Sequence, residues 1–220
     1  MKPIIALNLK TYPESLGKKG LELCQIASEV SLLTGVRIIV APQTVDLKDA
    51  VLVSGDVFAQ HVDAAKQGAF TGTVCVESIK SAGCIGSLVN HSEHRLPEQV
   101  IAETIARLNE AGLESVLCTK DAAESALLAK YNPTFIAVEP PELIGSGISV
   151  STAKPEIVSG TVRAVAAVNS TPVLCGAGVS NGTDVKKAIA LGASGVLLAS
   201  AFVKATDPKR LLLEMAEAIQ

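Results

Sequence analysis

With 220 residues, a mass of 22.6 kDa and 48% hydrophobic residues, the chain can fill one substantial core, and its length suits a barrel built as a single domain over residues 1–220. A net charge of -3, an isoelectric point near 5.7 and 19 scattered Lys and Arg residues supply no basic field for nucleic acid. No apolar run reaches membrane-spanning length and the N-terminus lacks a charged-then-apolar signal pattern, so no membrane partner and a cytoplasmic location are expected.

Eight short runs rich in Val, Ile and Leu read as strand cores. In chain order they begin at Pro3-Ile4-Ile5-Ala6-Leu7, Val36-Arg37-Ile38-Ile39-Val40, Asp56-Val57-Phe58-Ala59 and Cys84-Ile85-Gly86-Ser87-Leu88. The later four are Ser115-Val116-Leu117-Cys118, Thr134-Phe135-Ile136-Ala137-Val138, Pro172-Val173-Leu174-Cys175 and Gly195-Val196-Leu197-Leu198. Nearly continuous apolar character marks strands buried on both faces. Between them lie runs of helical period, such as Leu21, Cys24, Ala27 and Val30, or Val100, Ile101, Ile105 and Leu108. Asp121, Asn181 and Asp207 stand near helix starts, while Gly112 and Gly192 each end a helical run before a strand. Eight such units predict the α/β class and a closed (β/α)8 barrel, thin-walled near Val74 to Gly83. An open doubly wound sheet is the alternative, but the first strand runs into Asn8-Leu9-Lys10-Thr11-Tyr12 rather than a glycine-rich turn. Five cysteines without Cys-x-x-Cys spacing read as small core residues, and neither a disulfide nor a metal is expected.

In a barrel of this kind chemistry sits at the carboxyl ends of the strands. Asn8 and Lys10 occupy the first exit, Asn90, His91, Ser92 and Glu93 the fourth, and Glu139 the sixth. Glu139 follows a buried run and precedes Pro140 and Pro141, which hold the backbone extended, while Gly145 and Gly147 flank Ser146 further on. That design reads as a catalytic base beneath a lid running from Pro140 to Ser149. The late exits, Cys175-Gly176-Ala177-Gly178-Val179 and Ala199-Ser200-Ala201, are small enough for backbone N–H groups to approach a phosphate.

These residues, in this order along essentially the whole chain, resemble triosephosphate isomerases. The resemblance rests on Asn8-x-Lys10, Gly68-Ala69-Phe70-Thr71-Gly72, His91-Ser92-Glu93-x-Arg95, Glu139-Pro140 leading to Gly145-Ser146-Gly147, and the small loops at Gly176 and Ala199. It implies a TIM barrel that interconverts dihydroxyacetone phosphate and glyceraldehyde 3-phosphate, in glycolysis and gluconeogenesis, without metal or organic cofactor. The roles it implies are those of the family: Glu139 as base, a neutral His91 as proton donor and Lys10 as positive charge, with Asn8 orienting the site and Glu93 expected to pair with Lys10. Phosphate would be held by Gly145, Ser146, Gly176, Gly178, Ala199 and Ser200. His91 is expected to open a short helix whose dipole disfavours an imidazolium. The loop at Phe70 is expected to reach a second copy of the chain, in a dimer or tetramer with the tetramer favoured. The sequence departs from the commonest pattern in its length, in Pro141-Glu142-Leu143, and in Cys175 where a tyrosine usually latches the lid, which resembles the shortened archaeal-type branch. Two other readings use the same barrel: a Schiff-base aldolase with Lys10 as nucleophile, and a silent phosphosugar-binding barrel.

Overall fold

A computed structural model describes residues 2–143 and 149–219. Strands β1 (Ile4–Asn8), β2 (Arg37–Ala41), β3 (Phe58–Ala59), β4 (Gly86–Val89), β5 (Glu114–Thr119), β6 (Phe135–Val138), β7 (Val173–Cys175) and β8 (Gly195–Leu198) pair in parallel, in the order β2-β1-β8-β7-β6-β5-β4-β3. A bridge between Val40 and Val57, with Val40 N–H donating to Asp56 O at 2.9 Å, brings β2 against β3 and closes the (β/α)8 barrel.

Each strand divides its side chains between two apolar layers, as a period of two requires. Ile4, Ala6, Ile39, Phe58, Leu88, Val116, Phe135, Ala137, Leu174 and Leu197 fill the barrel interior. Ile5, Leu7, Ile38, Val40, Leu117, Ile136, Val138 and Val196 face outward and pack with the helices. This two-sided burial is why the strands lack polar alternation.

The helices are α1 (Lys18–Thr34), α2 (Leu47–Ala50), α3 (Val76–Ala82), α4 (Glu98–Glu110), α5 (Ala122–Ala129), α6 (Val150–Ala153), α7 (Pro155–Ala166), α8 (Gly182–Ala190), α9 (Ser200–Val203) and α10 (Pro208–Glu217). Asp121, Asn181 and Asp207 cap α5, α8 and α10 by accepting the N–H of Glu124, Asp184 and Arg210. The thin wall expected near Val74 is the two-residue β3 followed by the seven-residue α3. Among the described residues no helix is long and apolar enough to cross a membrane.

One expectation is corrected. No helix follows His91: residues 91–95 form a turn in which His94 N–H donates to His91 O at 2.8 Å, and α4 begins only at Glu98. Asn90 holds this loop from a left-handed backbone (φ 61), accepting Leu96 N–H on Oδ1 at 2.9 Å and donating from Nδ2 to Cys118 O at 2.9 Å. Pro97 then stands at the mouth of α4, where its missing N–H costs nothing.

Candidate active site

Strand exits β1, β4, β6, β7 and β8 converge on one cavity of about 210 Å³. Its wall contains Asn8, Lys10, Tyr12, His91, Glu139, Gly176, Ala177, Gly178, Val179, Ser180, Ala199 and Ser200. Of the residues singled out in the sequence, Asn8, Lys10, His91, Glu139, Gly176, Gly178, Ala199 and Ser200 thus share one wall, with Glu93 bonded to Lys10 beside them. Gly145 and Ser146 lie outside the described residues. A Glu142–Lys154 ion pair joins positions on either side of that stretch.

Glu139 immediately follows β6 and is 5% exposed. Its N–H donates to Thr119 O at 2.7 Å, which extends the β5 pairing to the carboxylate-bearing residue. Burial pushes its pKa up to about 7, against the opposing pull of the neighbouring Cys118 thiol and the Lys10 charge. Carboxylate Oε2 is buried without a hydrogen-bond partner among the described residues. A desolvated carboxylate with a free lone pair is a stronger proton acceptor than one in water.

Across from it, His91 Nε2 stands 3.7 Å from Glu139 Oε1, beyond direct hydrogen-bond reach. Glu93 N–H donates to His91 Nδ1 at 3.2 Å, so the ring's proton belongs on Nε2, the nitrogen facing Glu139. The Glu93 carboxylate also approaches Nδ1, at 3.5 Å, but its other oxygen accepts from Lys10 Nζ at 2.9 Å. Burial first, and then the Lys10 charge, lower the His91 pKa to about 4, so the imidazole is neutral near pH 7. The cause is burial and a neighbouring cation rather than the helix dipole expected from the sequence.

Lys10 occupies a left-handed backbone (φ 49), and Asn8 Oδ1 accepts its N–H at 3.0 Å. Asn8 ends β1 and is buried, so its amide acts within the wall. At the β7 exit, Gly176 N–H donates to Val138 O at 2.9 Å, and Gly176 passes so close to Glu139 that a Cβ there would lie 2.5 Å from Glu139 Cγ. Beyond it, Gly178 is left-handed (φ 68), and Ala177 O accepts Val150 N–H at 3.0 Å, which ties α6 to this loop. Ala199 N-caps the four-residue α9, so Ser200 and Ala201 carry first-turn N–H groups in the cavity wall.

Sequence reasoning passed over Cys118 and Tyr12. Cys118 looks like any core residue, although its place one short of the end of β5, paired with Ala137 of β6, is the signal that sets it beside Glu139. Tyr12 lines the mouth with Lys204 Nζ 4.4 Å above its ring. Among the described residues no group of three or more His, Cys, Asp or Glu is arranged to hold a metal ion.

A family model described as triosephosphate isomerase matches residues 3–219. The chain is 51% identical over 216 residues to the triosephosphate isomerase of Methanothermus fervidus, covering 97% of each. It is 49% identical to that of Methanocaldococcus jannaschii, covering 98% of this chain and 100% of the relative. It is 48% identical to that of Methanothermobacter thermautotrophicus, covering 99% of this chain and 96% of the relative. The similarity therefore spans residues 3–219, which include every strand exit that lines the cavity.

Proposed function

Since the chain belongs to the triosephosphate isomerase family and carries its interconversion of dihydroxyacetone phosphate and glyceraldehyde 3-phosphate, we propose that Glu139 moves the proton between the two carbons. The observation that carries this assignment is a buried carboxylate with a pKa near 7 and one oxygen, Oε2, without a hydrogen-bond partner among the described residues, its other oxygen 3.7 Å from the protonated nitrogen of a neutral imidazole in the same cavity wall.

Glu139 takes the proton from the carbon beside the substrate carbonyl, and the electron pair left behind makes an enediolate. The same carboxyl returns the proton to the neighbouring carbon. His91 Nε2–H donates to the oxygen on which charge develops, and Lys10 adds a positive charge held in place by Glu93. A neutral donor suits this step because it is closer in acidity to the enediol than an imidazolium is. Asn8 holds the Lys10 backbone. The small-residue loops at Gly176 to Ser180 and Ala199 to Ser200 receive the phosphate, with Gly145 and Ser146 covering it as a lid from Pro140 to Ser149. No metal or organic cofactor takes part in this reading.

The aldolase alternative would need Lys10 as a free nucleophile, whereas its ammonium is paired with Glu93 at 2.9 Å. The same proposal takes the chain as one domain, working in the cytoplasm as a homo-oligomer, with the tetramer favoured over the dimer.

A coupled assay with glyceraldehyde 3-phosphate tests the base. Glu139→Ala should lower kcat by roughly 10³-fold or more with the fold intact, in line with the loss of a general base. Turnover within about tenfold of the parent protein would transfer the proton to another residue.

A further inference from the structure

The carbonyl of Lys10 is held by two carboxamides from other loops. Gln43, beyond β2, donates from Nε2 to Lys10 O at 3.1 Å, and Gln60, directly after β3, donates from Nε2 to the same oxygen at 3.0 Å. Gln60 spends its second amide hydrogen on Ala41 O, also at 3.0 Å, so its orientation is fixed by both bonds. With Asn8 Oδ1 on the Lys10 N–H, both peptide groups flanking the Lys10 Cα are gripped by side chains. The residue so held is one of three non-glycine positions with positive φ among the described residues, a conformation that an L side chain leaves unless its surroundings impose it.

We propose that Gln43 and Gln60 are positioning residues for Lys10. Filling both lone pairs of one carbonyl fixes the plane of the peptide that follows Lys10, and with the N–H fixed as well, φ and ψ have no remaining freedom. The left-handed turn then determines where the side chain leaves the backbone, and so where Nζ meets Glu93. Neither glutamine lines the cavity or touches its reacting groups. Their action on turnover passes through Lys10, and the inference rests on the role given to Lys10 above.

The experiment is a double-mutant cycle on kcat/KM with glyceraldehyde 3-phosphate, using Gln43→Met, Lys10→Met and the double variant, together with melting temperature and 2-phosphoglycolate affinity. Methionine keeps the length of the glutamine and removes its donor. Gln43→Met should lower kcat/KM and phosphoglycolate affinity by about tenfold or more while melting within a few degrees of the parent protein. The effect should largely vanish in the Lys10→Met background, since contacting residues of one network are not additive. Gln60→Met should act in the same direction, and Gln43→Glu, similar in shape but without the donor, should reproduce the Gln43→Met loss. If Gln43→Met and Gln60→Met both behave as the parent while Lys10→Met is impaired, the positioning role is wrong and the role of Lys10 stands. A Gln43→Met loss that recurs in full on Lys10→Met would also overturn it. A fully active Lys10→Met would remove the role of Lys10 itself and this inference with it.

Discussion

Glu139 and His91 face each other with protonation equilibria displaced in opposite directions, and the signs have separate consequences for activity and for stability. With Glu139 near 7 and His91 near 4, kcat/KM should fall about tenfold per pH unit below pH 7 as the base is protonated, with no further break from His91 until about pH 4. A pH–rate profile reads this directly, and a limb centred near 4.5 would mean the carboxylate is not desolvated in the working enzyme. For stability, the folded pKa of Glu139 lies above its ordinary 4.5, so the folded state binds the extra proton between pH 4.5 and 7. The cost of burying its charge is absent below pH 4.5 and complete above pH 7. His91 has the opposite sign, its folded value lying below 6.5, so its contribution rises with pH between 4 and 6.5. Glu139→Gln should therefore be more stable than the parent at pH 8 by roughly 2 to 4 kcal/mol, with the advantage fading towards pH 4.5 in denaturant titrations. The residues that carry these charges were legible because each is a polar interruption at the end of an apolar run. Cys118, Gln43 and Gln60 were not, since a thiol in a strand and an amide in a loop look the same whether or not they touch a working group. The helix expected at His91 failed for a local reason: Asn90 turns the chain left-handed and folds residues 91–96 back on its own side chain.

At the level of elements, β6 and β7 pair in register, and the glycine that follows β7 is a condition for the carboxylate that follows β6. A Cβ on Gly176 would lie 2.5 Å from Glu139 Cγ and 3.0 Å from Val138 O, while the backbone there is not left-handed and would accept alanine. The substitution thus tests contact rather than conformation. Gly176→Ala should push Glu139 out of position and lower kcat by about tenfold to a hundredfold, with a stability loss of about 1 to 3 kcal/mol as overpacking commonly costs. Calorimetry alongside steady-state kinetics separates the two, and unchanged kcat would show that Glu139 has room to move aside without consequence. The strands, the main helices and the caps at Asp121, Asn181 and Asp207 were readable because apolar runs and capping side chains are local signals. The packing of Gly176 on Glu139 was not, since it exists only once two strands 37 positions apart in their exit residues lie side by side.

Over the whole molecule, β1, β2 and β3 lie side by side through the β1–β2 ladder and the Val40–Val57 bridge, so the loops that follow them share one sector of the rim. Those loops expose Leu16, Val45 (86%) and Phe70 (51%), an unusual concentration of apolar side chains for surface turns. Asp63 Oδ2 holds the base of the Phe70 loop by accepting Val74 N–H at 2.7 Å, and Arg107 of α4 donates to Ala64 O at 3.0 Å, so Phe70 is presented from a braced stem. Lys10 and the exposed side of Glu93 belong to the same rim, and a second copy covering this sector would shield their ion pair from water and strengthen it. Oligomerisation and turnover should then fail together. Light scattering should give the parent protein a mass at least twice that of the 22.6 kDa chain, and Phe70→Asp, which places a charge on this exposed apolar loop, should shift it towards the monomer. The monomer should keep its fold by circular dichroism and lose kcat by at least tenfold, with the largest losses at high salt, where an exposed Lys10–Glu93 pair is screened. A monomer as active as the assembly would mean that the ion pair beside the active site needs no cover from a neighbour.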